Sequence, residues 1–255
     1  MKILVGLLFL AATLAAQVSA PRVGFARFSG GSVYMVSGLS ANFLVGGSAV
    51  ARADRASFSD SGGLLSRQGE IELVDADARP IASFASGDRA PVVNVDGALT
   101  TAIAWLPSSH SILYWDGKDF VRIEANLAGE VTAAQIIEPG KARLFVRQAD
   151  TSIAAVLVSL KTGQVLDSQS LPGISGQAVA QHSFVVATDS KGLIVESSNG
   201  QRRTLPIAAR DLAIERMSSD WLHIFSTASG EHWALHLTEN DLQLSQMPPA
   251  REEVQ

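Results

Sequence analysis

The sequence predicts an all-β fold for this chain of 255 residues, on three observations. The first is a unit of short strands and tight turns, which is clearest at residues 56–74 (ASFSDSGGLLSRQGEIELV). The second is that looser copies of this unit recur downstream. The third is the composition, with 47% apolar residues, 18% charged residues and 21 glycines. Many short buried strands joined by tight turns have this composition, and no long stretch of helical periodicity competes.

The residue pattern within this unit predicts the first strands. Residues 56–58, 64–65 and 70–74 are apolar or alternate with period two, which predicts short strands. The Ser-Asp-Ser-Gly-Gly segment at residues 59–63 consists of residue types that favour turns. One unit is therefore a series of strands connected by tight turns.

Further strands follow the same pattern along the chain. Upstream of the unit, alternation and a Gly-Gly turn predict strands at residues 22–29, 32–36 and 42–45. Downstream, the predicted strands are residues 103–106, 111–115, 119–123, 142–147, 154–160, 165–168, 183–188, 193–196, 221–226 and 231–237. Between two of them, Asp116-Gly117 is typical of a hairpin turn that suits the right-handed twist of strands.

The spacing of the copies predicts how the strands are arranged. The copies begin at Ala56, Ala102, Ala133, Ala178 and Ala213, with separations of 46, 31, 45 and 35 residues. Repeats of this length are typical of propeller blades. With the N-terminal block as a sixth copy, residues 21–246 predict a single β-propeller of about six blades.

A propeller must close its ring, usually by pairing strands from the two ends of the chain. Residues 22–29 are available to complete the last sheet near residues 241–246, so we expect an N-terminal strand to close the ring. Residues 247–255 include Pro248-Pro249 and are expected to form a flexible tail.

Two segments resemble a known family. Residues 57–65 (SFSDSGGLL) and 104–109 (AWLPSS) resemble the blade openings of WD40-like and TolB-like β-propellers, where an apolar strand precedes a polar turn. Residues 21–27 (PRVGFAR) are similar to the start of uncharacterised exported bacterial propellers. The resemblance covers most of the chain and implies a fold rather than an activity.

Residues 1–20 predict a signal peptide. Lys2 supplies a positive charge, and residues 3–16 are apolar apart from Thr13. This run is shorter than the roughly 20 residues that a membrane span needs. Small residues allow cleavage after Ala16 or after Ala20, so we expect export to the periplasm or the extracellular space. No membrane span is expected after removal of the signal.

Composition and motifs exclude several functions. The chain contains no cysteine, which rules out thiolate metal sites and thiol catalysis. Its formal charge is −5 and it has no basic run, so nucleic acid is not an expected partner. Hydrolase, Walker and dinucleotide-binding motifs do not occur in the sequence, and no catalytic residue or cofactor is predicted.

Charged residues near the predicted blade starts form the first candidate site. Ligands of propellers usually bind where such loops surround the central channel. The candidate ligand-binding residues on this channel face are Asp54, Arg55, Asp96, Arg210 and Asp211. The competing interpretation is that opposite charges pair across the rim and contribute little.

Three histidines form a second candidate, a metal site. If residues 227–230 form a four-residue loop, alternation places His223, His232 and His236 on one face of the last hairpin. Three imidazoles can hold a transition metal. The same face is aromatic, so packing against a neighbouring blade is the competing interpretation.

The sequence favours an exported binding or scaffold module over an enzyme. We expect a monomer that binds a protein or a small ligand at the channel face. The alternative is a carboxylate-using glycoside hydrolase or lyase, which requires two or three buried acids about 5 to 10 Å apart in the channel. A third class, a subunit of an envelope complex, requires an exposed apolar surface on one blade.

Overall fold

A computed structural model describes residues 20–250 apart from 190, 191, 208, 209 and 240. In this part of the chain, 23 strands form six antiparallel sheets, which are the blades of a β-propeller. The predicted fold class is confirmed. Most of the predicted signal peptide and the last five residues lie outside the described range. Within that range, no helix has the length and hydrophobicity that crossing a membrane requires.

The blades follow one another along the chain. Blade 1 contains β1 (Arg22–Arg27), β2 (Val33–Leu39) and β3 (Asn42–Val50). Blade 2 contains β4 (Arg55–Ser59), β5 (Gly62–Arg67), β6 (Glu70–Asp75) and β7 (Pro80–Ala85). Blade 3 contains β8 (Val92–Val95), β9 (Ala102–Leu106), β10 (Ser111–Trp115) and β11 (Phe120–Glu124). Blade 4 contains β12 (Glu130–Glu138), β13 (Lys141–Arg147), β14 (Ile153–Ser159) and β15 (Val165–Leu171).

The last two blades complete the ring. Blade 5 contains β16 (Ala178–Gln181), β17 (Phe184–Asp189), β18 (Gly192–Ser197) and β19 (Arg202–Leu205). Blade 6 contains β20 (Leu212–Arg216), β21 (Trp221–Ser226), β22 (His232–Leu237) and β23 (Leu242–Met247). Two short 3₁₀ turns, Ser29–Gly31 and Pro107–Ser109, connect strands within blades 1 and 3.

The core lies between the blades. Strand β9 is buried along its whole length, because both faces of its sheet are covered by neighbouring blades. Between blades 2 and 3, for example, Leu64 and Ile71 pack with Ala104 and Leu113. Burial on both faces explains why the inner strands are continuous apolar runs and why so few residues are charged.

Four of the five predicted blade starts are correct. Ala56, Ala133, Ala178 and Ala213 lie in the first strand of a blade, but Ala102 begins β9, the second strand of blade 3. The first strand, β8, has only four residues and lies between Pro91 and Asp96. Since so short a segment shows little periodicity, the sequence pattern missed it.

The first strands of blades 2 to 6 (β4, β8, β12, β16 and β20) surround the central channel. All five run in the same direction, so their first residues meet at one end of the channel. We call this end the upper rim and the opposite end the lower rim.

The N-terminal strand closes the ring, but not by the pairing that the sequence predicted. The predicted strand pairing of residues 22–29 with residues 241–246 is wrong, because β1 pairs with β2, and β23 pairs with β22. The ring closes by contact between blades 1 and 6, where the Phe25 N–H donates to the Met217 carbonyl at 3.1 Å. This close approach depends on Gly24, because a Cβ there would overlap the Met217 carbonyl oxygen.

The end of the chain differs slightly from the expected tail. Met247 is buried and belongs to β23, so the predicted tail boundary at 247 is one residue early. Ala250 still packs against the apolar cluster between blades 1 and 6.

Candidate functional site

A cavity of about 240 Å³ occupies the central channel. Its walls are the channel-facing residues of β4, β8, β12, β16 and β20 and the loops above them. The polar side chains that line it are Arg55, Ser57, Asn94, Glu130, Thr132, Arg147, Gln177, Glu215 and Arg216. Gln177 and Asn94 connect neighbouring blades: the Gln177 amide both donates to and accepts from the backbone of Ile214, and Asn94 Oδ1 accepts from the Ile136 N–H.

At the lower rim, Arg216 spans the channel. Its Nη1 donates to the Val95 carbonyl at 2.8 Å, which joins blade 6 to blade 3 on the opposite side of the ring. Its Nε donates to the Ser218 carbonyl at 3.2 Å. Burial lowers the pKa of the Arg216 guanidinium, and nearby carboxylates oppose that shift. These are Asp60, Asp96 and Asp220.

At the upper rim, an open depression of about 530 Å³ adjoins the channel cavity. The two share Arg55 and Ala90 as lining residues. The charged residues that line the depression are Arg27, Arg52, Asp54, Arg55 and Arg89. They come from the end of β1, the loop before β4, the first residue of β4 and the loop before β8.

Two of these five charges are already engaged. The Arg27 guanidinium binds the Glu215 carboxylate through Nε at 3.0 Å and Nη2 at 2.6 Å, and it lies 5.2 Å from the centre of the Phe225 ring. Asp54 Oδ2 accepts the Gln68 N–H at 3.0 Å. A carboxylate fork on a guanidinium is a strong, charge-assisted arrangement. Arg27 and Asp54 are therefore structural parts of the depression.

The other three arginines are free. Arg52, Arg55 and Arg89 are exposed, and none of their side chains makes an ion pair or a hydrogen bond within the described part of the chain. Arg52 adopts a left-handed backbone conformation with φ of 59°. Three unpaired guanidinium groups thus share one depression beside the channel.

The structure separates the five residues that the sequence proposed for the channel face. Asp54 and Arg55 line the depression. Arg210 and Asp211 are exposed at the same rim, directly before β20, but do not line either cavity. Asp96 lies at the lower rim, because it follows β8 instead of preceding a first strand. Its placement at the upper rim was wrong for the same reason that β8 was missed.

Sequence reasoning also missed Arg27, Arg52, Arg89 and Arg216. Arg52 lies only two residues before Asp54, within the segment ARADR, and the clustering of charge there was a usable signal. Arg89 precedes the undetected strand β8, so its loop was not recognised as part of the rim. Arg216 gave no sequence signal, because its role depends on a residue in the opposite blade.

The three candidate metal ligands lie on the predicted face but are not all together. The ladder pairs Phe225 with His232 and Trp221 with His236, as the loop length predicted. His223 Nε2 and His232 Nδ1 share a hydrogen bond of 2.9 Å. The His236 ring instead lies 4.5 Å from the Trp221 ring, and its Nδ1 pairs with Asp241. Among the described residues, no three His, Cys, Asp or Glu side chains are placed to hold a metal ion.

The histidine pair belongs to the contact between blades 1 and 6. The Phe28 ring of blade 1 lies 4.4 Å from the His232 ring and 5.6 Å from the His223 ring. Burial, followed by the Arg27 charge, lowers the pKa of His232 to about 4. Burial first, then His232 and Arg27, lower the pKa of His223 well below its usual value. Both imidazoles are therefore neutral near pH 7.

Two further features bear on the alternative functions. Of the carboxylates that line the channel cavity in the described structure, Glu215 is buried and forks with Arg27, while Glu130 is exposed and pairs with Arg147. A pair of buried acids is thus not present there.

On blade 1, the exposed side chains of Met35, Leu39 and Leu44 project from the same face of β2 and β3.

Solved structures share this fold. The β-propeller domain of Cps50 (Swd1) from Myceliophteria thermophila matches with a TM-score of 0.50 and 12% identity, covering 90% of this chain and 88% of that one. PorZ, an essential bacterial surface component of the type-IX secretion system of Porphyromonas gingivalis, matches with a TM-score of 0.51 and 14% identity, covering 89% of this chain and 31% of PorZ. BamB from Moraxella catarrhalis matches with a TM-score of 0.42 and 12% identity, covering 92% of each chain.

No protein-family model matches the chain, and no curated protein matches its sequence. The matches to Cps50 (Swd1) and PorZ establish the β-propeller fold that the sequence resemblance implied. Because propellers host many functions, the activity has to be argued from the site.

Proposed function

We propose that this protein is a binding module that takes up a partner at the upper rim of its channel. The observation that carries this proposal is the difference in access between the two rims. Arg216 crosses the lower rim, whereas the channel cavity adjoins an open depression at the upper rim. A ligand or peptide that contacts the channel therefore approaches from the upper rim.

The module is exported in this proposal. The apolar run at residues 3–16 and the small residues that follow support a cleaved signal peptide. We expect the mature protein to begin at Gln17 or Pro21 when it is recovered from the periplasm or the medium of the native host. N-terminal sequencing measures this directly, and recovery of a chain that retains Met1 would contradict export by cleavage.

Site-specific photo-cross-linking tests where partners bind. A photoreactive residue replaces Ala90, which lines both cavities, and in a matched variant it replaces Lys118, which is exposed on the β10–β11 turn at the lower rim. Both variants are irradiated in extracts of the native host, and each captured protein is identified, purified and tested for binding by calorimetry. We expect a partner that is captured from position 90 alone and binds in solution. Capture from position 118 alone would overturn the assignment to the upper rim.

The apolar surface of blade 1 supports a second candidate, a subunit of an envelope complex. Exposed Met35, Leu39 and Leu44 lie on one face, and apolar surfaces of this kind mark protein contacts when they are contiguous. The same experiment tests this candidate if a third variant carries the photoreactive residue at Leu44. A purified partner that cross-links from position 44 but not from position 90 would favour assembly through blade 1.

A further inference from the structure

We infer that the upper-rim depression binds an acidic, extended peptide segment of a partner protein through Arg52, Arg55 and Arg89. This inference rests on the proposed function, because it assigns chemistry to the same rim.

The charge of the depression opposes that of the whole protein. Four arginines and one aspartate line it, a formal charge of +3, while the full chain carries −5. Elsewhere, Arg67, Arg147 and Arg202 pair with glutamates. A cluster in which four arginines outnumber one carboxylate is a surface to which anionic groups are attracted.

Among the described residues, the carboxylates near the depression form no ion pair with Arg52, Arg55 or Arg89. The Glu215 carboxylate is buried and held by Arg27, and Asp54 accepts a backbone N–H. Glu130, the first residue of β12, pairs with Arg147. The guanidinium groups of Arg52, Arg55 and Arg89 are thus matched by charge to an external carboxylate, which arginine binds with two parallel hydrogen bonds.

The shape of the depression favours a peptide over a small anion. Sites for small ligands enclose most of the ligand surface, whereas this depression is open to solvent. Its three free arginines come from separate positions, the loop before β4, the first residue of β4 and the loop before β8. A chain with several carboxylates can contact all three at once, and a single phosphate cannot use an open surface in this way.

Binding of a fluorescent oligo-glutamate peptide, followed by anisotropy at low salt, tests the inference. We compare the wild type with a variant that combines R52A, R55A and R89A. A matched control combines R79A, R122A and R203A, which also removes three exposed positive charges but lies outside the depression. We expect the first variant to weaken binding by at least about tenfold. The control should stay within about twofold, because remote exposed charges are screened.

Four outcomes would overturn the inference. The first is no binding of oligo-glutamate by the wild type, and the second is equal weakening by both triple variants. The third is displacement of the peptide by inorganic phosphate at equal carboxylate and phosphate concentrations, which would indicate a general anion site. None of these outcomes changes the cross-linking result expected at position 90. Failure of the inference is therefore distinguishable from failure of the proposed function. Binding of an oligo-lysine peptide with equal affinity would also contradict it.

Discussion

Arginine is used in opposite ways at the two rims of the channel. At the lower rim, one guanidinium spans the ring, donates to the carbonyls of Val95 and Ser218, and lies near three aspartates. At the upper rim, Arg52, Arg55 and Arg89 are exposed and have no carboxylate partner in the described structure. The lower-rim arginine therefore holds blades together, while three of the upper-rim arginines have side chains that the described fold does not use.

The largest loss of stability is expected when Arg27, the upper-rim arginine in a buried ion pair, loses its partner. In Glu215→Gln, the Arg27 guanidinium loses its anionic partner in a buried pair, with 13% of Arg27 and 8% of Glu215 exposed. Removing one partner of a buried pair leaves an uncompensated charge, so we expect a loss of about 3 kcal/mol in the free energy of unfolding. Urea unfolding measures it.

The control is Glu130→Gln, which breaks an exposed pair at the same rim, where 69% of Glu130 and 36% of Arg147 are exposed. We expect a loss below about 1 kcal/mol for this variant. Equal losses in the two variants would contradict the distinction between structural and free arginines at the upper rim.

The lower-rim arginine is expected to have the next largest effect. Arg216→Met removes the donor to the Val95 carbonyl and leaves that acceptor unpaired in the channel. Losing a buried hydrogen bond to a charged group costs about 2 kcal/mol. The same substitution at Arg55 should change stability by less than about 0.5 kcal/mol, because that side chain has no partner among the described residues to lose. If Arg55→Met were the more damaging change, the comparison between the rims would be reversed.

The contact between blades 1 and 6 should respond to pH. The pKa of His232 falls to about 4 in the folded protein, whereas an unfolded histidine has its usual value of 6.5. The unfolded state therefore takes up the proton first, and the stability contributed by neutral His232 is complete above pH 6.5 and is lost as the pH falls toward 4. His223 acts in the same direction, and Arg27 and its partner Glu215 face the same pair.

Unfolding by urea between pH 7 and pH 5 measures this dependence, since most carboxylates remain ionised there. In His232→Gln, the slope of stability against pH should be shallower than in the wild type. An unchanged slope would assign the pH dependence to other groups. The His182→Gln variant is the matched control, because His182 lies outside this contact and pairs with Asp220.

The fold was largely predictable because the blade pattern is local. Period-two strands and turn residues placed four of the five copies, and the loop at residues 227–230 fixed the pairing of the last hairpin. The predictions that failed concern a short strand and a contact between residues that are far apart in the sequence. Strand β8 has four residues, and ring closure depends on Gly24 approaching Met217, a contact between opposite ends of the chain.

The candidate site was predictable only in part, for the same physical reason. Asp54 and Arg55 were found because they directly precede or begin a recognised strand. Arg27 and Arg89 line the same depression as Arg52 only because the blades are arranged in a ring. No local sequence pattern predicts that these three residues are neighbours. Nor can spacing tell which arginines have partners, because Arg27 and Glu215 are 188 residues apart.

The smallest effect on stability is expected from the three free arginines together. Like charges in one depression repel each other, so the combined variant R52A, R55A and R89A should unfold with a free energy within about 0.5 kcal/mol of the wild type. Added salt should also stabilise the wild type slightly more than this variant, because salt screens a repulsion that the variant lacks. Urea unfolding at low and high salt measures both. A loss of about 2 kcal/mol or more would show that these arginines support the fold as Arg216 does, and the depression would then have no free charge to offer a partner.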